Sequence, residues 1–253
     1  MSSILSILFS IVGCGQQSDV PQSQGEEITD VEDIPTPSDD LDNEDGTADN
    51  TDPTEDNPGP VTLSYTFGDS DSLLYVQVYK DEDAWGSGFA HNHVMRASNW
   101  YGYIDYNTSD ISVCDFEFAL PVADLMVDED AMRQYVGYGD TISQSDRNTI
   151  REHMLASDQL NANSHQEISF YSTNCELKND TTLRITGDMS IAGNTRSISF
   201  DVDFNAQAEK FYVSGMIETT HAQFGLQPYE AFGGTVRNDE PLDISFDMVG
   251  FAN

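Results

Sequence analysis

The stretch Ile198-Ser199-Phe200-Asp201-Val202-Asp203-Phe204 alternates large apolar side chains with small or acidic ones without a break. Successive side chains of a strand point to opposite faces, so Ile198, Phe200, Val202 and Phe204 share one face and Ser199, Asp201 and Asp203 the other. That is a β-strand with one side in a core and one in water. Just upstream, Gly193-Asn194 reads as a hairpin turn, with Thr182 to Ser190 as the strand that precedes it. Downstream, Phe211 to Thr219 and Leu242 to Phe251 carry the same strand character. Farther towards the N-terminus, Leu74, Val76 and Val78 alternate with Leu73, Tyr75, Gln77 and Tyr79. Ile111, Val113 and Asp115 alternate with Cys114, Phe116 and Phe118. Asn99 to Tyr106 and Glu167 to Asn174 complete the set. Strands this close together, without helices between them, predict an antiparallel sandwich or barrel.

One long connection breaks the strand rhythm. Ser145 to Leu155 reads as a capped helix with Ile150, Met154 and Leu155 on one side and Asp146, Arg147, Arg151 and Glu152 mostly on the other. A shorter helical turn is expected near Asp128 to Tyr135. The reading of residues 61–253 is therefore one β domain with one helical insertion.

The first sixty residues have a different chemistry. Ile4 to Val12 is a short apolar run, well below the roughly 20 residues needed to cross a bilayer, and it ends in Ile11-Val12-Gly13-Cys14. A branched residue, a small one and then Cys resembles the bacterial lipobox, which implies cleavage after residue 13 and lipidation of Cys14. Met1-Ser2-Ser3 lacks the Lys or Arg of an ordinary signal start, which points to a start upstream. Gly15 stands where an Asp retains such proteins at the inner membrane, so the resemblance implies the cell envelope, at the outer membrane. From Gln16 to Pro60 there is no Lys or Arg and almost no large apolar side chain. Such a segment cannot offset its ordering entropy by burial, and residues 14–60 are expected to be a disordered acidic tether. Asp42, Glu44, Asp45 and Gly46 look like a calcium loop only superficially, because aligning Gly46 puts Leu41 at the first ligand position.

Forty-five acidic against ten basic residues give a formal charge of -35, which repels phosphate backbones and argues against a nucleic-acid partner. With Cys14 given to lipid, Cys114 and Cys175 remain, and an oxidising compartment predicts a disulfide between them. The competing reading is two buried free thiols.

Three pieces in order resemble the YceI-like family. Met154-Leu155-Ala156-Ser157-Asp158-Gln159-Leu160 followed by Glu167-Ile168-Ser169-Phe170-Tyr171-Ser172 is similar to its helix end, loop and next strand. Ile185 to Arg196 is similar to its strand, turn and strand. Phe224-Gly225-Leu226, Gly233-Gly234-Thr235-Val236 and Asp239, with the Ile244 to Val249 strand, resemble its closing loop and last strand. This chain departs from the pattern at Ala192, at His165-Gln166 and at His221-Ala222-Gln223. The resemblance implies an eight-stranded antiparallel lipocalin-like barrel that binds isoprenoid chains or isoprenoid quinones outside the cytoplasm.

Barrels of about eight strands are either filled by side chains or hold one small ligand. Phe116, Phe118, Phe170, Met189, Phe200 and Phe204, with Phe224 and Phe232 in the closing loop, are the candidates to line the interior or its lid. The competing expectation is that they pack on one another in a filled barrel, leaving a surface-displayed interaction domain. His91-Asn92-His93 places two imidazoles on one side of a strand, so a metal site is a third reading. No nucleophile elbow, phosphate loop or dinucleotide fingerprint is present, and no cofactor is required by any motif. The expectation is a binding protein, not an enzyme, whose partners are an apolar lipid and, through Cys14, a membrane.

Overall fold

The computed structural model describes residues 61–253; the expected signal peptide, Cys14 and the acidic tether lie outside the described residues. The chain runs through β1 (Thr62–Gly68), β2 (Leu73–Lys80), β3 (His93–Ala97), β4 (Tyr101–Asn107), β5 (Asp110–Pro121) and β6 (Leu125–Val127). Two helices follow, α1 (Asp130–Tyr135) and α2 (Gln144–Leu155). Then come β7 (Glu167–Asn179), β8 (Thr182–Ile191), β9 (Asn194–Ala206), β10 (Lys210–Thr220), the two-residue β11 (Glu230–Ala231) and β12 (Val236–Ala252).

The strands close into an eight-stranded antiparallel barrel in the order β1-β4-β5-β7-β8-β9-β10-β12, because β12 pairs back onto β1 at Tyr65↔Ala252 and Thr66↔Phe251. Along the same edge of β12, β2 pairs from Asp247↔Leu73 to Asn238↔Lys80. β1 and β2 are thus two halves of one broken stave. β3 and β4 form a second, pairing with β2 and β1 respectively, and β5 and β6 a third, pairing with β4 and β3. The stave breaks have local causes: Asn99 takes a left-handed φ of 55° between β3 and β4, and a 3₁₀ turn at Val122–Asp124 separates β5 from β6.

The breaks splay one end of the barrel. β5 pairs with β7 only from Glu117↔Tyr171 to Pro121↔Glu167, and among the described residues β6 pairs with β3 alone. The segment carrying α1 and α2 leaves from β6 and returns at β7, beside this unpaired part of the wall. At the opposite end of the β5–β7 ladder, Cys114 and Cys175 form a disulfide with Cα atoms 5.9 Å apart. Ser172 Oγ accepts from Phe116 N at 2.8 Å at the same point, so covalent and side-chain links take over where the ladder stops.

The alternation of β9 is realised: Ile198, Phe200 and Val202 are buried and Ser199, Asp201 and Asp203 are exposed. In β12, Leu242, Ile244, Phe246 and Met248 repeat it. Several boundaries differ from the sequence reading: β4 starts at Tyr101 instead of Asn99, β7 runs on to Asn179 instead of Asn174, and β12 starts at Val236 instead of Leu242. The β8–β9 turn is centred on Ala192 (φ 48°) and Gly193 (φ 76°), one residue earlier than Gly193-Asn194. A two-residue turn with both φ values positive matches the right-handed twist of the strands, and Ala192 bears the strain that Gly193 escapes. Gly193 is needed for space as well, since a Cβ there would lie 2.3 Å from the His165 ring. Helix α2 begins earlier than expected, capped by Ser143, whose hydroxyl accepts from Asp146 N at 3.2 Å.

Candidate ligand cavity

The two halves of the interior are built differently. Towards the β1 end, aromatic rings fill it. Tyr65 lies against Tyr106 and Phe211 with ring centroids 6.2 and 5.5 Å apart, and Phe204 stacks on Phe211 at 6.0 Å. Phe116, Phe118, Phe170 and Phe200 continue the cluster at centroid spacings of 5.3 to 6.2 Å. Offset and edge-on contacts at these distances are favourable for aromatic quadrupoles and leave little void. Tyr65 keeps its hydroxyl satisfied by donating to Gln207 O at 2.6 Å. Tyr106 is pushed up to about 12 by burial first and then by the neighbouring Tyr65.

At the splayed end the filling stops. A cavity of about 200 Å³ lies there, walled by Leu74, Val76 and Val78 of β2, Leu242 and Ile244 of β12, and Phe118, Leu120, Met189 and Ile191 of β5 and β8. Helix α2 forms its roof with Ile150 and Met154, and Leu160 follows in the loop beyond. No residue of α2 is fully buried. Its apolar face is only partly buried, with Ile150 and Met154 packed against the core beside the void, while Arg147 and Arg151 bond to Asp130 and to Ala123 O. Two contacts clasp it to the loop after β10: His153 stacks on Tyr229 at 4.8 Å, and Gln159 Nε2 donates to Gln227 O at 3.2 Å.

The sequence-nominated residues divide between the two halves. Phe118 and Met189 line the cavity. Phe116, Phe170, Phe200 and Phe204 belong to the aromatic packing. Phe224 is fully buried in the turn after β10 and outside the cavity wall. Phe232, expected in the interior or its lid, is instead 86% exposed and sits at a left-handed φ of 51° in the β11–β12 turn. The positive φ of Phe232 and of the two glycines after it turns the chain back sharply, which leaves the ring outside.

The His91/His93 pair gains no third ligand among the described residues. His91 precedes β3, so the two-residue spacing does not place both rings on one strand face. Each Nδ1 meets its own carboxylate, His91 with Asp140 Oδ2 at 2.5 Å and His93 with Asp128 Oδ2 at 2.7 Å. Arg133, buried in α1, bridges these two carboxylates and also donates to Asn92 O at 2.7 Å. A cation already occupies the centre of the cluster, and no group of three or more His, Cys, Asp or Glu side chains among the described residues is placed to hold a metal. Asp128 is fully buried. Burial works to raise its pKa, but the hydrogen bond and charge of His93, Val94 N and Arg133 outweigh it and hold the carboxyl below its ordinary value.

Polar groups stand around the cavity as well: His93, which the sequence offered for a metal, with Tyr75, His153, Gln159, His221, Tyr229 and Asn238, none of them nominated as ligand contacts. Their positions depend on which loops meet at the splayed end, which no local pattern encodes. The cavity wall contains no Lys or Arg. Its outer side adjoins a polar groove that shares Gln159, Tyr229 and Asn238 with it.

The profile of the YceI-like domain family matches residues 77–248. The fold is similar to the crystal structure of BcnA from Burkholderia cenocepacia, at 11% identity and a TM-score of 0.52, over 70% of this chain and 95% of that one. The YceI protein of Campylobacter jejuni is also similar, at 15% identity and a TM-score of 0.44, over 63% of this chain and 84% of that one. No curated protein matches the sequence.

Proposed function

The chain belongs to the YceI-like family, and from that premise we propose that its barrel sequesters an apolar small molecule, an isoprenoid chain or isoprenoid quinone, beside a membrane to which Cys14 anchors it. The observation that carries this reading is the division of the interior: one half is packed with aromatic rings, while the other is a 200 Å³ void with mainly aliphatic walls and a helical roof that is only partly buried. An apolar void of roughly 150 Å³ stays dry and takes up benzene, so this one receives a ring or a short branched segment as it stands. Burial of each further methylene contributes about 0.8 kcal/mol, and a longer chain reaches that gain by displacing α2. The tether and the lipid anchor belong to the same proposal: they hold the barrel in the cell envelope, at the outer membrane, within reach of its ligand.

A barrel filled from end to end, serving only as a displayed interaction domain, describes the β1 half of this interior and not the α2 half. The test is a titration of the full-length chain with Nile red, a neutral environment-sensitive dye, followed by competition with a short-chain ubiquinone. Saturable dye fluorescence displaced by the quinone supports the carrier reading. Dye that neither saturates nor is displaced overturns it.

A further inference from the structure

The polar end of the cavity has a definite hydrogen-bonding sense. His221 is only 5% exposed and forms part of the cavity wall. Its backbone N donates to Glu240 O at 3.1 Å, and its ring Nδ1 contacts the same carbonyl at 3.1 Å. A carbonyl oxygen only accepts, so Nδ1 carries the proton, and in the neutral ring Nε2 presents a lone pair. Nε2 has no protein partner among the described residues, yet the only side-chain polar atom there that is both sealed and unpaired is Trp100 Nε1. His221 Nε2 is thus not among the sealed, unpaired atoms, and His221 lines the void.

The groove outside has a definite charge. Asp81, Asp158, Glu230, Asp239 and Glu240 line it, with Arg237 as its one cation. Arg237 Nε is bound to Asp81 Oδ2 at 2.6 Å. An anionic headgroup at the mouth thus meets carboxylates, and no Lys or Arg of the cavity wall is there to receive it.

We infer that the site, if it carries an apolar ligand as proposed above, selects one whose head is uncharged and donates a hydrogen bond to His221 Nε2, such as a prenyl alcohol, or the reduced quinol in preference to its quinone. It discriminates against carboxylate and phosphate heads. A buried acceptor left unpaired by a head without a donor costs affinity, which is how such a group discriminates.

The experiment uses the full-length chain and three probes with one common chain, farnesol, farnesyl methyl ether and farnesyl phosphate, each measured by calorimetry at low and high salt. Farnesol is expected to bind about fivefold or more tighter than the ether. The phosphate is expected to bind more weakly than the ether, with the gap narrowing as salt screens the mouth. In His221→Phe the ratio of alcohol to ether affinity is expected to fall to about one. An ether as tight as the alcohol, or a phosphate as tight as the ether, overturns the inference but leaves the carrier reading standing. An alcohol advantage that persists in His221→Phe removes His221 as the acceptor. Failure of all three probes to bind overturns the carrier reading and this inference with it.

Discussion

His153 and Tyr229 lie ring on ring across the cavity mouth, with centroids 4.8 Å apart and planes inclined by 23°. The pair joins α2 to the loop that follows β10, and together with the Gln159 to Gln227 hydrogen bond it holds the roof over the void. Aromatic pairs of this kind contribute about 1 kcal/mol. His153→Ala is expected to speed release of a bound dye roughly fivefold in stopped-flow displacement, with faster amide exchange in α2 and little change in global stability. Release at the wild-type rate would mean that the ligand leaves by another route.

The divided interior predicts opposite outcomes for two kinds of core substitution. Ala97 is buried and borders the void, so Ala97→Leu places new carbon there. It should abolish dye binding while leaving thermal stability equal or slightly raised. Phe211, fully buried among Tyr65, Tyr106 and Phe204, lies in the filled half. Phe211→Ala should cost about 3–5 kcal/mol in urea unfolding and leave the dye affinity of the folded fraction near wild type.

Asp128 links His93 to Arg133 in a buried cluster, and its carboxyl is held below the ordinary 3.8, burial opposing and His93, Val94 N and Arg133 prevailing. A carboxylate with a depressed folded-state pKa contributes stability above its unfolded value and loses it as pH falls through the folded value. The stability difference between wild type and Asp128→Asn should therefore be at its full size above about pH 4 and shrink below it. Breaking a buried pair costs about 3 kcal/mol, readable in urea midpoints at pH 7 and pH 3. A difference that stays constant across this range would contradict the assignment.

The Cys114–Cys175 link spans 61 positions of sequence and joins β5 to β7 beyond the end of their ladder. Closing a loop of that length is worth about 4 kcal/mol in the chain-entropy account. Reduction with a phosphine should lower the unfolding midpoint by a corresponding amount, and Cys114→Ser with Cys175→Ser should reproduce the shift without reductant.

Strand identity was legible wherever one face meets the core and the other meets water, as in Ile198-Ser199-Phe200-Asp201-Val202 and in the Leu242 to Met248 alternation. The α2 face of Ile150 and Met154 was equally readable from its spacing. Depth along the barrel was not. Alternation says that Phe116, Phe200 and Val78 point inward, but the register of distant strands decides which half each reaches. The broken staves escaped notice because each break is only a few residues long and leaves the alternation on either side intact. Ala192 hid the turn by adopting a left-handed φ that its side chain does not advertise. The spacing of His91 and His93 does not reveal that His91 lies outside β3. Asp128, Arg133 and Asp140, which occupy those rings, are supplied by a connection 35 to 49 residues away in sequence.

The most direct test of the carrier account is native mass spectrometry, with lipid extraction, of the full-length protein purified from a bacterial host without detergent. The account predicts a mass above that of the chain, resolved on extraction into an uncharged prenyl lipid or quinone. A chain whose mass carries no ligand, and stays unchanged when such lipids are offered, would contradict it.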